Sequence, residues 1–319
     1  MSKRITKVNT KCVCEVCGAE FTASKNSSGR FCSRACYRDS VDIAGSVERL
    51  APNLVDNAVA TGPAIVAADW HIPFIHVPIW NRLLELQERT GITQLDIPGD
   101  WMDNRAFSPH PGSKVEKHKP SLDLAYDILE ELAGRFEVIR LSPGNHDRWL
   151  TNCFSGQFEH HELVDMLFRD FVRAGKLRVV SVPYIQRKDG GAHFIVVHQK
   201  TFSGANPHGV ALDLEAHRDI FRDKHVITTH GHLEVLGRNA TGKYLAAQLG
   251  CMTDNARTRY IQEYITRHRE WNPGFGVIAK GYLWLVNDIM PDAAFNALCE
   301  AVKVNRLNIG SSKRKGAGK

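Results

Sequence analysis

Histidines, aspartates and an asparagine occur in five short motifs spread along this chain. The motifs are Asp69-Trp70-His71, Gly99-Asp100, Gly144-Asn145-His146-Asp147, the single His198, and His230-Gly231-His232. Carboxylate, amide and imidazole groups are ligands for divalent transition metals. A pair of such ions, about 3.5 to 4 Å apart, is bridged by a carboxylate and converts a water molecule into a nucleophilic hydroxide. The residue types therefore predict a two-metal centre.

Each motif directly follows a short apolar segment. The segments are AIVAA, QLDIP, FEVIRLS, HFIVV and HVITT, in chain order. Their continuous apolar and β-branched character is typical of strands that are buried on both faces. In open α/β sheets, active sites lie where the carboxyl ends of the strands meet the loops. We therefore expect the five motifs to converge on one crevice.

Apolar residues at helical spacing lie between these strands. They predict helices at Ile79–Thr90, Ser121–Ala133 and His161–Ala174. Further elements are a hairpin around residues 238–242, a charged helix near 256–268, strands GFGVIA and YLWLV, and a closing helix at about 291–304. Strands that alternate with helices indicate an α/β fold with helices packed on both faces.

The ordered motifs resemble those of the calcineurin-like metallophosphoesterase superfamily, over roughly residues 63 to 290. The resemblance implies a β-sandwich of mixed sheets flanked by helices. It also implies a phosphoric ester hydrolase that works by metal-activated hydroxide attack. Mixed oxygen and nitrogen ligands suit manganese, iron, zinc or nickel, and the sequence leaves the metal open.

The same resemblance assigns the ligands of the two ions. Asp100 would bridge the ions. One ion would be completed by Asp69, His71 and His232, and the other by Asn145, His198 and His230.

Four further residues receive roles around the reacting phosphate. By resemblance, His146 when protonated would donate to the leaving oxygen or stabilise the charge that builds on the phosphoryl group. Asp147 and Asp103 would hold ligand imidazoles in one tautomer, although an Asp after a strand also commonly caps a helix. Arg148 is a candidate clamp for a phosphate oxygen, and a surface salt bridge is the alternative.

The chain departs from the phosphoprotein phosphatases of that superfamily, which usually contain GDxxDRG and GNHE. Here the residues after Asp103 are Asn104 and Arg105, and the later motif ends in Asp147. This difference argues against a protein phosphatase and favours a phosphodiesterase or nuclease. Segments at residues 250–252 and 271–275 resemble those of phage-encoded members.

Four cysteines near the start form two close pairs, which are Cys14 with Cys17 and Cys32 with Cys36. Two local pairs of thiolates can supply the tetrahedral set that structural zinc requires. Ser33 can cap the helix that carries Cys36. The segment resembles treble-clef zinc fingers, and Cys12 is an extra thiol that could compete with Cys14.

Positive charge is concentrated at the two ends of the chain. The net charge is +6, residues 1–40 contain eight Lys and Arg against three Asp and Glu, and residues 311–319 add four basic residues. Basic ends are suited to a polyanion such as DNA or RNA. Lys25, Arg30, Arg34 and Arg38 could contact phosphates, or could form a solvated face on a module that docks to a protein.

No apolar segment approaches the roughly 18 residues that span a bilayer, and the first residues lack a signal peptide. We therefore expect a cytoplasmic protein without a membrane partner. The expected organisation is a zinc module at 1–40, a linker at 41–61, a catalytic domain at 62–305 and a basic tail at 306–319.

Two functions follow from these features. The favoured one is a phosphodiesterase or nuclease in which the zinc module and the tail hold nucleic acid. The alternative is a phosphatase for small molecules or nucleotides, whose zinc module docks to a protein.

Overall fold

A computed structural model describes residues 10–23, 30–33, 36, 55–109, 117–199, 207–217, 219–258 and 271–304. The chain divides into two compact units, Met1–Asn53 and Leu54–Lys319. Most of the expected linker and the whole basic tail lie outside the described residues. The four-part organisation expected from the sequence stays a prediction.

The smaller unit contains a β-hairpin. Strands β1 (Thr10–Val13) and β2 (Glu20–Ala23) pair antiparallel. The turn between them is closed by a hydrogen bond from the backbone N–H of Cys14 to the carbonyl of Ala19 (2.9 Å). Gly18 in this turn has a φ of 69°, a conformation that a residue without a Cβ adopts readily.

The larger unit contains two six-stranded mixed sheets. The first has the order β14-β13-β4-β5-β6-β7, with β4 to β7 parallel and β13 and β14 antiparallel at one side. Its strands are β4 (Ala64–Val66), β5 (Gln94–Pro98), β6 (Val138–Ser142), β7 (Leu177–Val179), β13 (Gly274–Ala279) and β14 (Tyr282–Asn287).

The second sheet has the order β11-β12-β10-β9-β8-β3, and β12, β10 and β9 are parallel within it. Its strands are β3 (Ala60–Thr61), β8 (Tyr184–Asp189), β9 (Ala192–Val197), β10 (His225–Thr228), β11 (Val235–Arg238) and β12 (Leu245–Gln248). Side chains of both sheets share one apolar layer, in which Val66 and Ile278 cluster with Phe194, Val196 and Ile227.

Helices cover the outer faces of both sheets. The described helices are α1 (Val77–Thr90), α2 (His118–Arg135), α3 (Asn145–Cys153), α4 (His160–Arg173), α5 (Pro207–His217) and α6 (Asp292–Val302). Residues of α1, α2, α4 and α6 share an apolar cluster with the first sheet, and those of α5 share one with the second. The predicted sandwich of mixed sheets flanked by helices is confirmed.

All five segments that precede the motifs are strands, as predicted. The hairpin, the two late strands and the closing helix are also present. The charged helix expected near 256–268 lies mostly outside the described residues, and Asn255–Arg257 at its start form a turn. Among the described residues, no helix has the length and apolar character needed to cross a membrane.

The sequence did not predict a buried ion pair that joins the two sheets. Asp96 of β5 accepts two hydrogen bonds from the guanidinium of Arg187 of β8, at 2.7 and 2.8 Å. Both residues have no solvent exposure. Arg187 also donates to the carbonyl of Gly62 (2.8 Å), which satisfies a further face of the guanidinium.

Candidate metal centre

The motifs meet where strands of both sheets end. Asp69 follows β4, Asp100 follows β5, Asn145 follows β6, His198 follows β9 and His230 follows β10, each at the carboxyl end. The loops after β4 and β5 are tied by a hydrogen bond from the backbone N–H of His71 to the carbonyl of Asp100 (3.0 Å). The convergence expected from the sequence is present.

Three of the buried side chains form a first group. Ligand atoms of Asp69, His71 and His232 all lie within 4.8 Å of one another. The Nε2 atoms of His71 and His232 face each other at 3.2 Å, and Oδ1 of Asp69 is 3.4 Å from Nε2 of His232. Two imidazole nitrogens and a carboxylate oxygen directed at one point are suited to a divalent cation.

A second group lies beside the first. Ligand atoms of Asp100, His198 and His230 also lie within 4.8 Å of one another. The amide oxygen of Asn145 is 3.0 Å from Nε2 of His198 and adds an oxygen to this group. The two groups contain the two ligand sets that the resemblance implied.

Asp100 lies between the groups. Its Oδ2 atom is 3.3 Å from Nε2 of His198 and 3.7 Å from Nε2 of His71. Its Oδ1 atom accepts a hydrogen bond from the backbone N–H of His146 (2.8 Å), which fixes the orientation of the carboxylate. One carboxylate that reaches both groups has the position required of a bridging ligand.

Buried polar atoms provide a test of whether these residues fit metal ions. Within the described part of the chain, Oδ1 of Asp69, Oδ2 of Asp100 and Nδ1 of His232 are buried without a hydrogen-bond partner. Leaving such atoms unsatisfied is unfavourable, because they have lost their contacts with water. Cations would satisfy the two carboxylate oxygens, so the residues fit a two-metal site.

The backbone at the site adopts conformations that are unfavourable for side chains with a Cβ. Asp69, His71, Asp100, His230 and His232 have φ values between 43° and 76°. Backbone strain of this kind persists only where the surrounding structure enforces it, and it is concentrated at functional sites. Five such residues among the predicted ligands indicate that the fold is arranged around this centre.

The structure explains why the residue before Asp100 is a glycine. Its φ is 87°, and a Cβ at this position would lie 2.5 Å from the imidazole ring of His198. The glycine therefore allows His198 to approach the strand end. Oγ1 of Thr229 contacts Nδ1 of the same imidazole at 3.0 Å.

Asp103 lies beside two imidazoles of the site. Its Oδ1 atom is 3.3 Å from Nδ1 of His71 and 3.4 Å from Nδ1 of His146. Nδ1 of His146 also lies 2.5 Å from the backbone carbonyl of Asp103, and the ring stacks on Trp149 with centroids 3.8 Å apart. Because a carbonyl only accepts, Nδ1 carries a proton, and Nε2 is the nitrogen of His146 that can donate when the ring is protonated at both nitrogens.

Asp147 makes the helix cap that the sequence offered as the alternative to holding an imidazole. Its Oδ2 atom accepts hydrogen bonds from the backbone N–H groups of Asp100 (2.9 Å) and Gly144 (2.8 Å). Burial and the charge of Asp100 raise the pKa of Asp147 to about 6. Asp147 therefore positions the backbone of two metal-site motifs.

Arg148 is half-buried at the mouth of a cavity beside Asn145 and His198. Its guanidinium makes no hydrogen bond or ion pair with another described residue, so the salt-bridge alternative has no partner in that part of the chain. The position is compatible with a contact to a substrate oxygen.

Opposite charges within the site shift each other's pKa values. Burial alone would lower the pKa of His198, but the neighbouring Asp100 raises it to about 9. Burial also opposes ionisation of Asp100, yet the cationic imidazoles of His198 and His146 lower its pKa well below the usual value. Without metal, protons on imidazoles therefore compensate the buried carboxylates, and metal binding would displace them.

Two supporting residues were not anticipated from the sequence. Oγ1 of Thr253 donates to the backbone carbonyl of Asp69 at 2.5 Å, and Trp271 packs edge-on against the ring of His232 with centroids 3.9 Å apart. Both residues are far along the chain from the residue that they contact, so no local spacing links them to the motifs. Only the tertiary fold brings them to the site.

The four predicted zinc cysteines form a separate cluster in the smaller unit. The Sγ atoms of Cys14, Cys17, Cys32 and Cys36 all lie within 4.8 Å of one another. Hydrogen bonds from the backbone of Cys17 and Cys32 lower the pKa of Cys14 to about 6, which favours the thiolate that zinc binds. Cys12 is not a member of this four-cysteine group.

Ser33 makes the predicted cap, because its hydroxyl accepts a hydrogen bond from the backbone N–H of Cys36 (3.1 Å). Arg30, a candidate phosphate contact, forms a two-point ion pair with Glu15 at 2.9 and 2.8 Å. Lys25, Arg34 and Arg38 lie outside the described residues.

No protein family model and no curated protein matches the chain. Among solved structures, the chain is similar to Vps29 from Chaetomium thermophilum, with TM-score 0.38 and 15% identity over 71% of this chain and 87% of that chain. It is similar to a metallophosphoesterase from Sphaerobacter thermophilus, with TM-score 0.38 and 13% identity over 77% and 96% of the two chains. A third is the nuclease MPE of Pseudomonas putida, with TM-score 0.33 and 14% identity over 70% and 87%. These likenesses are too distant to identify the function.

Proposed function

We propose that the protein is a metal-dependent phosphoric ester hydrolase that cleaves phosphodiesters of nucleic acid. The observation that carries the proposal is the position of Asp100 between two groups of buried ligands, with Oδ2 3.3 Å from His198 and 3.7 Å from His71. A single ion would not need a carboxylate shared in this way. Two ions with a shared carboxylate are the arrangement that supports displacement at phosphorus.

Seven residues would hold the ions, which are Asp69, His71, Asp100, Asn145, His198, His230 and His232. When bound, two divalent ions supply Lewis-acid polarisation of the phosphoryl group and activate a water molecule. The protein supplies the orientation of each ligand. Hydrogen bonds from the backbone N–H of His230 to Asp69 (3.0 Å) and of His146 to Asp100 (2.8 Å) hold the two carboxylates.

His146 is the proposed acid. Its Nδ1–H group donates to the carbonyl of Asp103, so Nε2 is the nitrogen that faces the reaction. When the imidazole is protonated at both nitrogens, Nε2–H gives its proton to the leaving oxygen and leaves the neutral ring with its proton on Nδ1. Trp149 holds the ring from one side, so the proton is delivered from one direction.

The choice of a diester rests on two features. The residues Asn104 and Arg105 after Asp103 replace the Arg-Gly of the phosphoprotein phosphatases. Basic residues are concentrated near the four-cysteine cluster and in the tail, which favours a polyanionic substrate.

Hydrolysis of bis-p-nitrophenyl phosphate and p-nitrophenyl phosphate with added manganese tests the proposal. We expect faster hydrolysis of the diester, loss of activity with a chelator, and cleavage of DNA or RNA. A preference for the monoester without cleavage of either nucleic acid would overturn the proposal. It would favour instead a phosphatase of small molecules or nucleotides, whose zinc module docks to a protein.

A further inference from the structure

A cavity of about 410 Å³ opens beside the candidate metal centre. It lies between β8, β9 and α5, and Asn145 and His198 form part of its wall. Pockets that bury most of a small ligand have volumes of about 300 to 1,000 Å³. The cavity is therefore large enough for a nucleoside, whose phosphate would lie at the metal-binding end.

The wall that α5 and its neighbours form is mainly apolar and aromatic, with one acidic residue, Asp213. Its apolar residues are Tyr184, Val210, Leu214, Ile220 and Phe221. The rings of Tyr184 and Phe221 pack edge-on against each other, with centroids 6.2 Å apart and planes inclined by 71°. Aromatic and aliphatic walls of this kind bind flat rings by stacking and by burial of apolar surface.

Gln199 adds a polar group to this apolar wall. The residue is 6% exposed and lines the cavity. Neither its amide nitrogen nor its amide oxygen has a hydrogen-bond partner in the described part of the chain. Buried amides without partners are rare because they are costly, so this one indicates a missing ligand.

The amide of Gln199 presents a donor and an acceptor next to each other. Each nucleobase carries a hydrogen-bond donor beside an acceptor on one edge, such as the amino group and ring nitrogen of adenine or the ring N–H and carbonyl of uracil. A carboxamide can pair with both atoms of such an edge at once. The terminal torsion of glutamine is soft, so the amide can rotate toward a ring in the cavity. Arg148, at the metal-binding end, is placed for a phosphate oxygen of the same nucleotide.

We propose that this cavity binds the base of a nucleotide whose phosphate lies at the metal centre, and that Gln199 pairs with the edge of that base. The inference rests on the proposed phosphodiesterase function and adds the substrate class to it. A base inside the cavity cannot be paired or stacked within a duplex. The substrate is therefore single-stranded nucleic acid or an unpaired end.

Binding of adenosine to the full-length, metal-loaded protein tests the cavity without turnover, because adenosine has no phosphate ester. We expect calorimetry to show adenosine binding at least tenfold tighter than ribose. Replacing Gln199 by Leu keeps the approximate size, removes both polar atoms and should weaken adenosine binding about tenfold. Tyr184→Leu, which removes a stacking ring, should weaken it severalfold. Gln157→Leu, on an exposed surface, is the matched control and should bind adenosine as the wild type does.

Hydrolysis gives a second measurement. The ratio of kcat/KM for a diadenosine phosphodiester to kcat/KM for bis-p-nitrophenyl phosphate should fall about tenfold in Gln199→Leu. Thermal unfolding of each variant confirms that it is folded. Adenosine that binds no tighter than ribose, or equal binding by wild type and both cavity variants, would overturn the base pocket. Adenosine binding without any diester hydrolysis would support the pocket and overturn the phosphodiesterase.

Discussion

Gly144 packs against Asp100 so closely that a methyl group on Gly144 would overlap Oδ1 and the backbone nitrogen of Asp100. The first of these atoms belongs to the carboxylate that reaches both ligand groups. We therefore expect Gly144→Ala to displace Asp100 and to lower kcat/KM for bis-p-nitrophenyl phosphate by roughly 100-fold, since a displacement of about 1 Å at a reacting centre has an effect of this size.

Gly134→Ala is the matched control for this substitution. Gly134 lies in α2, and a Cβ there would meet no atom within 4 Å. Alanine within a helix should keep full activity and stabilise the protein by about 0.5 to 1 kcal/mol. Equal activity of Gly144→Ala and Gly134→Ala would show that the close packing against Asp100 has no role in the reaction.

Asp100→Asn tests the shared carboxylate directly. The substitution preserves shape but removes the charge that two cations would share, so we expect kcat to fall at least about 100-fold. Elemental analysis should show fewer divalent ions per chain in the variant. One zinc ion per chain should remain, because the four cysteines lie in the other unit.

Asp123→Asn is a suitable control, because Asp123 is an exposed residue of α2 that pairs with Lys119. It should retain the metal content and activity of the wild type. If Asp100→Asn also retained both, Asp100 would not be a bridging ligand.

Much of the centre could be predicted because its information is local. The motif that contains Asp69 directly follows a strand, and the carboxyl ends of parallel strands meet at one edge. Similarly, the short spacing of Cys14 from Cys17 and of Cys32 from Cys36 is enough to place the two thiols of each pair close together. In both cases the residue type and its position after a strand or in a turn were sufficient.

Other parts of the fold depend on contacts between distant segments. Gln199 was not recognised from the sequence as a cavity residue. The cavity forms only where α5 and Phe221, which are later in the chain, pack near Gln199. Asp96 was treated as part of an apolar strand, since nothing near it in the sequence indicates Arg187 as its partner. The helix cap that Asp147 makes to Gly144 was one of the two roles considered from the sequence, whereas its second donor, the backbone of Asp100, comes from a distant segment.

The ion pair between Asp96 and Arg187 leads to a stability prediction. Replacing Arg187 by Met would leave the Asp96 carboxylate buried between the sheets with weaker compensation from Arg140, at 3.6 Å. We expect the free energy of unfolding to fall by about 3 to 5 kcal/mol, measured by urea denaturation of the larger unit.

The double variant Asp96→Leu with Arg187→Met separates charge burial from packing. It removes both ions, so it should be more stable than Arg187→Met alone. A double variant that is less stable than the single one would mean that the ion pair contributes through its geometry and not mainly by avoiding an unpaired charge.

We predict that the buried His160 makes the folded protein less stable in mild acid. Its Nε2 atom is buried without a hydrogen-bond partner, and burial together with the charges of His161 and Arg148 lowers its pKa to about 3. In the unfolded chain the pKa returns to about 6.5, so the unfolded state binds the extra proton between these values and stability falls as the pH decreases. At pH 5 the loss relative to pH 7 should approach roughly 2 kcal/mol. His160→Leu should remove that share of the pH dependence, which urea denaturation at both pH values would measure. An identical pH dependence in the variant and the wild type would show that His160 is free to ionise in the folded protein.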